Sequence, residues 1–491
     1  MPTRRSYQPA RRRPVPRTVA GLAVLAVLAV GCSSAPEQGP PLTTNGTPPA
    51  ASAAPDSSVP NSGSATAPVT SAPAAEPAPA AEPTPAPVAE PTPAPPPPAP
   101  AVPPGGPVTE ADMTAAGAAV AAMSVADRAG TVVMASSADA VGTDLVGRLH
   151  LGGVILMGSK GAVDGTDGGT PAQVAAVAEQ LQAQVPAGQA GAPLLVGTDQ
   201  ESGLVTRLVN GFTDFPGADE LSGISDLDEA ASLTEQVTAA SAAEMRAVGI
   251  NVDFAPDADV LPASGDSGVA DRTFGSDPER SARLVAAAVR GYQQGGVAAT
   301  IKHFPGIGRT ATDTHQALPT LDIDCTEWNA VEAVPMRGGV DAGAALVMTG
   351  HIDLPAVGTN GTSSALSSAV VTDLLKGSGV GGCGGLDFHG VAVSDSFQMA
   401  PVKNNFEPGE AAWRGVAAGQ DLVLMPADPE VAVSGIVAAV EGGQLPAERL
   451  ADAATRVYAL RLALGRAPIP GLESVGSAEH ESIAARARAA G

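Results

Sequence analysis

The sequence predicts an α/β fold, a (β/α)₈ TIM-type barrel preceded by a disordered Pro/Ala-rich tether. Eight short apolar runs alternate with longer Ala/Glu/Arg-rich stretches between residues 108 and 470. The runs are continuous rather than alternating, which is typical of parallel strands buried on both faces. The rival fold is an open doubly wound sheet, but no G-x-G-x-x-G follows the first run, and eight strand–helix units favour the barrel. The runs are residues 131–134, 153–157, 194–198, 250–254, 298–301, 344–348, 391–393 and 421–424.

The N-terminus has the pattern of an export signal over residues 1–31. Six arginines precede an apolar run at residues 19–30, which is too short to span a bilayer comfortably. Small residues directly before Cys32 resemble the lipobox of bacterial lipoproteins, although Ala29 stands where leucine is usual. We therefore expect lipidation at Cys32 and an exported, membrane-anchored protein that faces outward. The alternative is a plain signal peptide with an incidental cysteine.

Composition divides the remaining chain into a linker, a barrel and a tail. Residues 33–107 contain no lysine, arginine or aromatic residue and are dominated by proline and alanine. Such a segment cannot bury enough apolar area to fold, and proline keeps it extended at roughly 3 Å per residue. We predict a disordered linker over residues 32–107, the barrel over 108–470 and a partly helical C-terminal tail over 471–491.

Charge and cysteine content restrict the partners and leave one question open. The formal net charge is −24, which argues against nucleic acid and against anionic lipid surfaces as partners. After Cys32 only Cys325 and Cys383 remain. In an exported protein they can form a bridge, but the sequence does not show whether their Cα atoms come close enough.

Helix-start signals fall between the apolar runs. Ser124 and Asp127 have the spacing of a capping box. Asp277 followed by Pro278 indicates a helix with proline in its first position, and Pro446 marks a similar start.

Polar residues follow five of the eight runs at their carboxyl ends. A single polar strand end can be chance capping of the next helix, but a barrel collects its active site at this face, so five such ends predict one pocket. The segments are Thr198-Asp199-Gln200-Glu201, Asp253 to Asp257, Lys302-His303, Thr349-Gly350-His351 and Ser394-Asp395-Ser396.

The fifth run continues into a loop with unusual chemistry, KHFPGIGRTATDTH at residues 302–315. Lys302 and His303 leave the strand facing the pocket, and glycines in the loop allow sharp turns. The loop then carries Asp313 and His315. A carboxylate beside an imidazole fixes its tautomer, and such a histidine can give a proton to a leaving group and take one from water.

Asp395 follows a buried strand, and a rigid element suits a nucleophilic carboxylate. One carboxylate nucleophile and one acid/base group are the requirements for retaining glycoside hydrolysis. In this chain a histidine would replace the usual second carboxylic acid.

These residues resemble bacterial β-N-acetylhexosaminidases of glycoside hydrolase family 3, over roughly residues 115–465. The most specific parts are KHFPG through DTH at 302–315 and SDSFQM at 394–399. The resemblance implies that Asp395 is the nucleophile, His315 the acid/base and Asp313 its partner. It also implies removal of terminal β-linked N-acetylglucosamine, in cell-wall fragments or related glycans, with no metal and no organic cofactor.

Further matches imply residues that hold the sugar, and the segment MTGH at 348–351 is implied to have a supporting role. The implied sugar-binding residues are Asp199, Arg207, Arg272, Lys302 and His303.

The chain departs from the family pattern at four positions. Ile307 stands where the family loop usually has histidine, and Ser396 replaces a frequent second aspartate. Ser202 and Leu204 replace a glycine and an arginine. These changes leave leaving-group preference and loop dynamics open. No second α/β domain of the kind found in many family 3 β-glucosidases is visible in the sequence, which favours the single-domain hexosaminidase type.

Several alternatives stay open at this point. His303, Asp313 and His315 are possible zinc ligands, although no His-x-x-x-His helix pair supports such a site. Asp395 could be a helix cap, and Arg207 and Arg272 could be ordinary surface residues. At the level of function, the alternatives are a β-glucosidase, a phosphorylase that uses phosphate in place of water, and a non-catalytic glycan-binding envelope lipoprotein.

Overall fold

Eight parallel strands form a ring in the computed structural model, which describes residues 106–189 and 191–491. Each strand pairs with its neighbours in chain order, and a parallel bridge between Val393 and Leu422 brings the seventh strand to the start of the eighth and closes the ring. The predicted barrel is confirmed, and the open doubly wound order is wrong for this chain. The strands are β1 Val133–Ser136, β2 Gly153–Ile155, β3 Leu195–Thr198, β4 Val252–Asp253, β5 Ala298–Phe304, β6 Leu346–Thr349, β7 Val391–Ser394 and β8 Val423–Leu424.

Each predicted apolar run overlaps one strand of the barrel. The first strand is displaced from its predicted position, because the helix Val125–Thr131 extends into the run and the strand begins only at Val133. A cluster of buried apolar side chains contributed by the strands fills the interior, including Met134, Phe254 and Leu424. The barrel is therefore a packed core, and ligands can enter only at its ends.

Helices cover the outside of the strands, and their starts follow the sequence signals. Ser124 and Asp127 form the reciprocal capping box, and the Asp277 carboxylate accepts the amides of Glu279 and Arg280. The longer helices are Glu110–Ala121, Pro171–Gln182, Leu227–Ala247, Pro278–Gln294, Ala333–Asp341, Pro408–Ala418, Pro429–Glu441 and Ala447–Gly465, with a π-helix at Ala369–Lys376. The shorter helices are Val125–Thr131, Ser137–Ala140, Leu145–Leu149, Ala218–Ser222, Cys325–Ala330 and Ala400–Lys403.

The C-terminal tail contains a helix at Ala478–Ala490. It packs against the helix Leu227–Ala247, where the buried Glu244 accepts the Gly476 amide at 3.0 Å and lies 2.9 Å from His480 Nδ1.

Three antiparallel ribbons extend the loops of the barrel. One of them is formed by Gly379–Val380 and Cys383–Gly384. A disulfide joins Cys325, at the start of the helix Cys325–Ala330, to Cys383 in this ribbon, with 4.5 Å between the Cα atoms. The question that the sequence left open is thereby answered. The other ribbons are Gly158–Ser159 with Ala162–Val163 and Gln200–Ser202 with Val205–Thr206.

The N-terminal predictions fall outside this structure. Residues 1–105, with the predicted signal peptide, Cys32 and nearly all of the linker, lie outside the described residues. Within the described part, no helix has the length and apolar character needed to cross a membrane.

A buried ion cluster stabilises the barrel just before β8, and it provides a test of the fold. Asp421 is fully buried and pairs with Lys376 at 2.7 Å and with Arg449 at 2.6 Å, while it also accepts the Ala392 amide. Burial raises the pKa of Asp421, but the two cations outweigh it and hold the pKa below its usual value.

Removing this charge leaves Lys376 without a carboxylate partner, while Arg449 keeps its contact with Asp452. We expect Asp421→Asn to lower the free energy of unfolding by roughly 3–5 kcal/mol in urea denaturation. The exposed Asp373→Asn is the control and should change it by less than about 0.5 kcal/mol. Equal, small changes in both variants would contradict the assignment of this cluster.

Candidate active site

A cavity of about 370 Å³ opens at the carboxyl ends of the strands. It brings together residues that are far apart in the sequence, several of which follow strands β3, β5 and β7. Seven of the eight residues predicted to bind or transform a ligand line it, and the eighth, Asp313, touches one of them. The seven are Asp199, Arg207, Arg272, Lys302, His303, His315 and Asp395.

Asp395 lies directly after β7 and is held by backbone contacts on two sides. Its amide donates to the Thr349 carbonyl at 2.9 Å, and its Oδ1 accepts the Ser396 amide at 2.7 Å. Burial raises the pKa of Asp395, but the Ser396 amide and the charge of Lys302 help to lower it below its usual value. The group is therefore a fixed carboxylate at neutral pH.

His351 supports this arrangement from the segment after β6. Its Nε2 lies 2.9 Å from the Ser396 carbonyl oxygen, and its Nδ1 lies 2.8 Å from the Ser363 hydroxyl. A carbonyl only accepts, so Nε2 carries the proton and Nδ1 accepts from Ser363. His351 thus contacts the backbone next to Asp395, which is the kind of contact that a supporting segment makes.

A buried ion-pair network forms one wall of the cavity. Glu201 accepts two hydrogen bonds from the Arg272 guanidinium at 2.8 and 2.9 Å, and it lies 2.5 Å from Lys302 Nζ. Lys302 also lies 3.3 Å from Asp199, which in turn lies 3.4 Å from Arg207. Burial raises the pKa of Glu201, but Lys302 and Arg272 lower it to about 2.

This network holds its cations in fixed positions. Burial lowers the pKa of Lys302, but Glu201 and Asp199 outweigh it and raise the pKa overall. The ammonium group is therefore charged and can donate to a ligand oxygen. Arg207 is placed by the ribbon after β3, where its amide donates to the Gln200 side chain at 3.0 Å.

His303 lies in β5 and is almost completely buried. Its Nδ1 lies 2.8 Å from Asp259 Oδ2, and its Nε2 lies 3.4 Å from the Arg272 guanidinium. Asp257 lies behind it, with one oxygen 3.5 Å from Arg272 and the other accepting the Asp259 amide. Burial and the Asp259 charge raise the pKa of Asp257 well above its usual value.

Asp313 and His315 lie at the rim of the cavity rather than in its interior. Asp313 Oδ1 lies 2.9 Å from His315 Nδ1 and also accepts the His315 amide. The His315 side chain is 73% exposed, so it is free of tight packing that would hold it away from a ligand. The two hydrogen bonds that Asp313 accepts from His315 lower the pKa of the Asp313 carboxyl.

The loop that carries this pair is anchored at both ends. Near its start, the Trp328 indole donates to the Pro305 carbonyl at 2.9 Å, and Arg309 pairs with Glu327 and with the buried Glu332. At the far end, the Ala400 amide donates to the His315 carbonyl at 3.1 Å. The second contact ties the rim to the segment that follows Asp395.

One group of side chains has the proximity of a metal site. Donor atoms of Asp257, Asp259 and His303 all lie within 4.8 Å of one another. Arg272 lies 3.5 Å from Asp257, and Asp259 already contacts His303 Nδ1. Among the described residues, the donor atoms of His303, Asp313 and His315 do not come together in this way, so the structure does not support the zinc alternative from the sequence.

Sequence reasoning gave no individual role to three charged residues of the site, although two of them, Glu201 and Asp257, lie in segments predicted to reach the pocket. Glu201 lies in a polar segment after the third run, where no local pattern assigns it a role, yet it pairs with two cations of the wall. Asp257 ends another of the predicted polar segments and Asp259 lies just beyond it, but the sequence assigns neither residue a partner. The one available signal was the spacing of two carboxylates, two residues apart, shortly after β4.

Known proteins match this chain across the barrel. Beta-hexosaminidase LpqI of Mycobacterium tuberculosis is 33% identical over 287 residues, which cover 57% of this chain and 71% of that protein. Beta-hexosaminidase A of Pseudoalteromonas piscicida is 29% identical over 343 residues, which cover 66% of this chain and 55% of that protein. The chain thus spans about half the length of the second relative.

Solved structures agree with the sequence matches. A glycoside hydrolase family 3 β-N-acetylglucosaminidase from Paenibacillus sp. str. FPU-7 has a TM-score of 0.66 at 34% identity, with 74% of this chain and 68% of that chain covered. The structure of M. tuberculosis LpqI has a TM-score of 0.61 at 28% identity, with 72% of this chain and 97% of that chain covered.

The profile of the glycosyl hydrolase family 3 N-terminal domain matches residues 124–460, a span that includes all eight strands and every residue of the cavity. The resemblance noted in the sequence is confirmed, and the chain belongs to glycosyl hydrolase family 3.

Proposed function

We propose that the protein is a retaining, exo-acting β-N-acetylhexosaminidase that removes terminal β-linked N-acetylglucosamine. The observation that carries this proposal is that a fixed carboxylate, Asp395, and a histidine, His315, line one cavity, with Asp313 in contact with His315 at its rim. The relatives named as hexosaminidases support the choice of sugar.

The first chemical step forms a covalent glycosyl-enzyme. The Asp395 carboxylate attacks the anomeric carbon, the bond to the leaving oxygen breaks, and protonated His315 gives its proton to that oxygen. Asp313 holds the imidazole through Nδ1, which leaves Nε2 as the proton-transferring nitrogen. Its carboxylate also stabilises the positive charge on the ring before transfer.

The second step releases the sugar. Neutral His315 takes a proton from a water molecule, the water oxygen attacks the anomeric carbon, and the bond to Asp395 breaks with retention of configuration. Because the His315 side chain is exposed at the rim, a movement of the loop can bring it over the anomeric centre when the sugar is bound.

The ion-pair wall selects the terminal sugar in this proposal. Asp199 accepts from a ring hydroxyl, while Lys302, Arg207 and Arg272 donate to sugar oxygens. Since each of these side chains is held by a partner, the sugar is bound without further ordering of the site.

The setting proposed for this activity is the cell envelope. The predicted export signal and lipidation at Cys32 would tether the enzyme outside the membrane, where cell-wall fragments provide terminal β-N-acetylglucosamine. This part of the proposal depends on the sequence pattern of residues 1–107 and on the linker between anchor and barrel.

A panel of aryl substrates tests the reaction and the acceptor together. We expect kcat/KM for the aryl β-N-acetylglucosaminide to exceed that for the matching β-glucoside by on the order of 10²-fold or more. Turnover should not depend on added phosphate, and the initial product should be the β-anomer of free sugar. Faster turnover of the glucoside, or formation of a sugar 1-phosphate, would replace the proposal by a β-glucosidase or a phosphorylase. Glycan binding with no turnover of any substrate would identify a binding protein.

A further inference from the structure

Asp259 is a buried carboxylate that the mechanism above does not use, although it lies beside the sugar site. Its Oδ2 lies 2.8 Å from His303 Nδ1 and accepts the His303 amide at 3.3 Å, while its Oδ1 accepts the Ile307 amide at 2.7 Å. The two backbone amides can only donate, so each oxygen of Asp259 accepts one of them. Burial raises the pKa of Asp259 to about 6, which leaves the group mainly a carboxylate at neutral pH.

The second ring nitrogen of His303, Nε2, faces a hydrogen-bond donor and must therefore accept. Its Nε2 lies 3.4 Å from the Arg272 guanidinium, which can only donate. A neutral imidazole has one donor and one acceptor nitrogen, so both neighbours select the form with the proton on Nδ1. Burial, reinforced by the charge of Arg272, lowers the pKa of His303 to about 4, which keeps the ring neutral at neutral pH.

We propose that Asp259 is a positioning residue that holds His303 as the Nδ1–H tautomer, so that the single lone pair of Nε2 accepts a hydrogen bond from a hydroxyl of the bound sugar in place of its long 3.4 Å contact with Arg272. The assignment of the sugar rests on the proposed function, but the tautomer does not. One consequence is a specificity rule: the sugar must donate at this contact, and a substituent that only accepts is rejected.

An asparagine cannot replace this carboxylate. If the amide oxygen of the Asp259→Asn variant keeps the Ile307 amide, its NH₂ group faces His303 Nδ1 and forces the proton to Nε2, against Arg272. If instead the amide oxygen faces His303, the NH₂ group meets the Ile307 amide, and the start of the loop to Asp313 and His315 loses its anchor. Either arrangement leaves a buried donor without an acceptor.

The direct test is the protonation pattern of the His303 ring in the whole chain. With ¹⁵N-labelled histidine, NMR at pH 7 should show a protonated Nδ1 and an unprotonated Nε2, with the signal assigned by its loss in His303→Gln. A protonated Nε2, or an equal mixture of tautomers, in the folded wild type would overturn the proposal. This result does not depend on turnover, so it is separate from a failure of the proposed activity.

Kinetics provide the second test, with substrates modified at ring positions 3, 4 and 6. At the position that His303 contacts, we expect the deoxy and the deoxyfluoro substrates to lose kcat/KM equally, because neither can donate. Asp259→Asn should lower kcat/KM for the parent substrate by about 10- to 100-fold and should reduce the further loss on hydroxyl removal.

The control is Asp112→Asn, a buried carboxylate that pairs with Arg466 outside the cavity. This variant should show the same losses of kcat/KM with the deoxy and deoxyfluoro substrates as the wild type. Fluorinated substrates that work well at all three positions, or wild-type kcat/KM in Asp259→Asn, would contradict the proposal. If Asp259→Asn does not fold, the NMR experiment on the wild type decides the matter alone.

Discussion

Asp395→Asn is expected to lower kcat for an aryl β-N-acetylglucosaminide by on the order of 10⁴-fold or more. The amide keeps the size of the side chain and can still accept the Ser396 amide, so the site keeps its shape. It cannot attack the anomeric carbon, and no covalent intermediate forms. The loss should therefore appear in kcat with every leaving group, and sugar binding should remain.

Asp253→Asn is the matched control for this variant. Asp253 ends β4, is fully buried and accepts the Gln200 amide at 2.9 Å, which an asparagine oxygen can also do. Burial raises its pKa to about 8, so its carboxyl is neutral at neutral pH and the amide changes little. We expect near-normal turnover in this control, and near-normal turnover in Asp395→Asn would refute the nucleophile.

The second large effect is expected from His315→Gly, and it should depend on the leaving group. Without the imidazole, an alkyl glycoside or a disaccharide must leave without a proton, so kcat/KM should fall by about 10²- to 10⁴-fold. An aryl glycoside with a strongly acidic phenol needs little protonation, and its first step should be almost unchanged. A plot of rate against leaving-group pKa should therefore become steep in the variant.

A substitution of Asp313, the partner of His315, should cause a smaller loss of kcat/KM than the loss of His315 itself. Asp313→Asn keeps a group next to Nδ1 but removes the negative charge, so the loss should be in the same direction and smaller. Because Asp313 and His315 are exposed at the rim, these variants should unfold at wild-type temperature. Equal losses on good and poor leaving groups in His315→Gly would contradict acid/base catalysis by this residue.

The fold was predictable because barrel strands are apolar on both faces, so each produces a continuous run in the sequence. Even β4 and β8, which are two residues long, lie inside predicted runs. The position of β1 was displaced because the helix before it ends inside the run, and helix ends depend on local hydrogen bonds that hydrophobicity does not report.

The sequence predicted many of the residues that line the cavity, but it did not predict which of them pair with one another. Polar residues after strands converge for topological reasons, which is why Asp199, Lys302 and Asp395 could be placed together. Which carboxylate meets which cation depends on contacts between distant segments. Glu201 pairs with Arg272 across 71 positions and Asp259 meets His303 across 44, and no local pattern encodes either pair.

Covalent attack by Asp395 is the central claim of the proposed function. The measurement that tests it is mass spectrometry of the wild type after reaction with a fluorinated N-acetylglucosaminyl donor whose good leaving group lets the first step outrun the second. We predict one added sugar per chain, on the peptide that contains Asp395, with loss of turnover in proportion to labelling. A sugar attached to another residue, or full inactivation without any covalent sugar, would contradict the central claim.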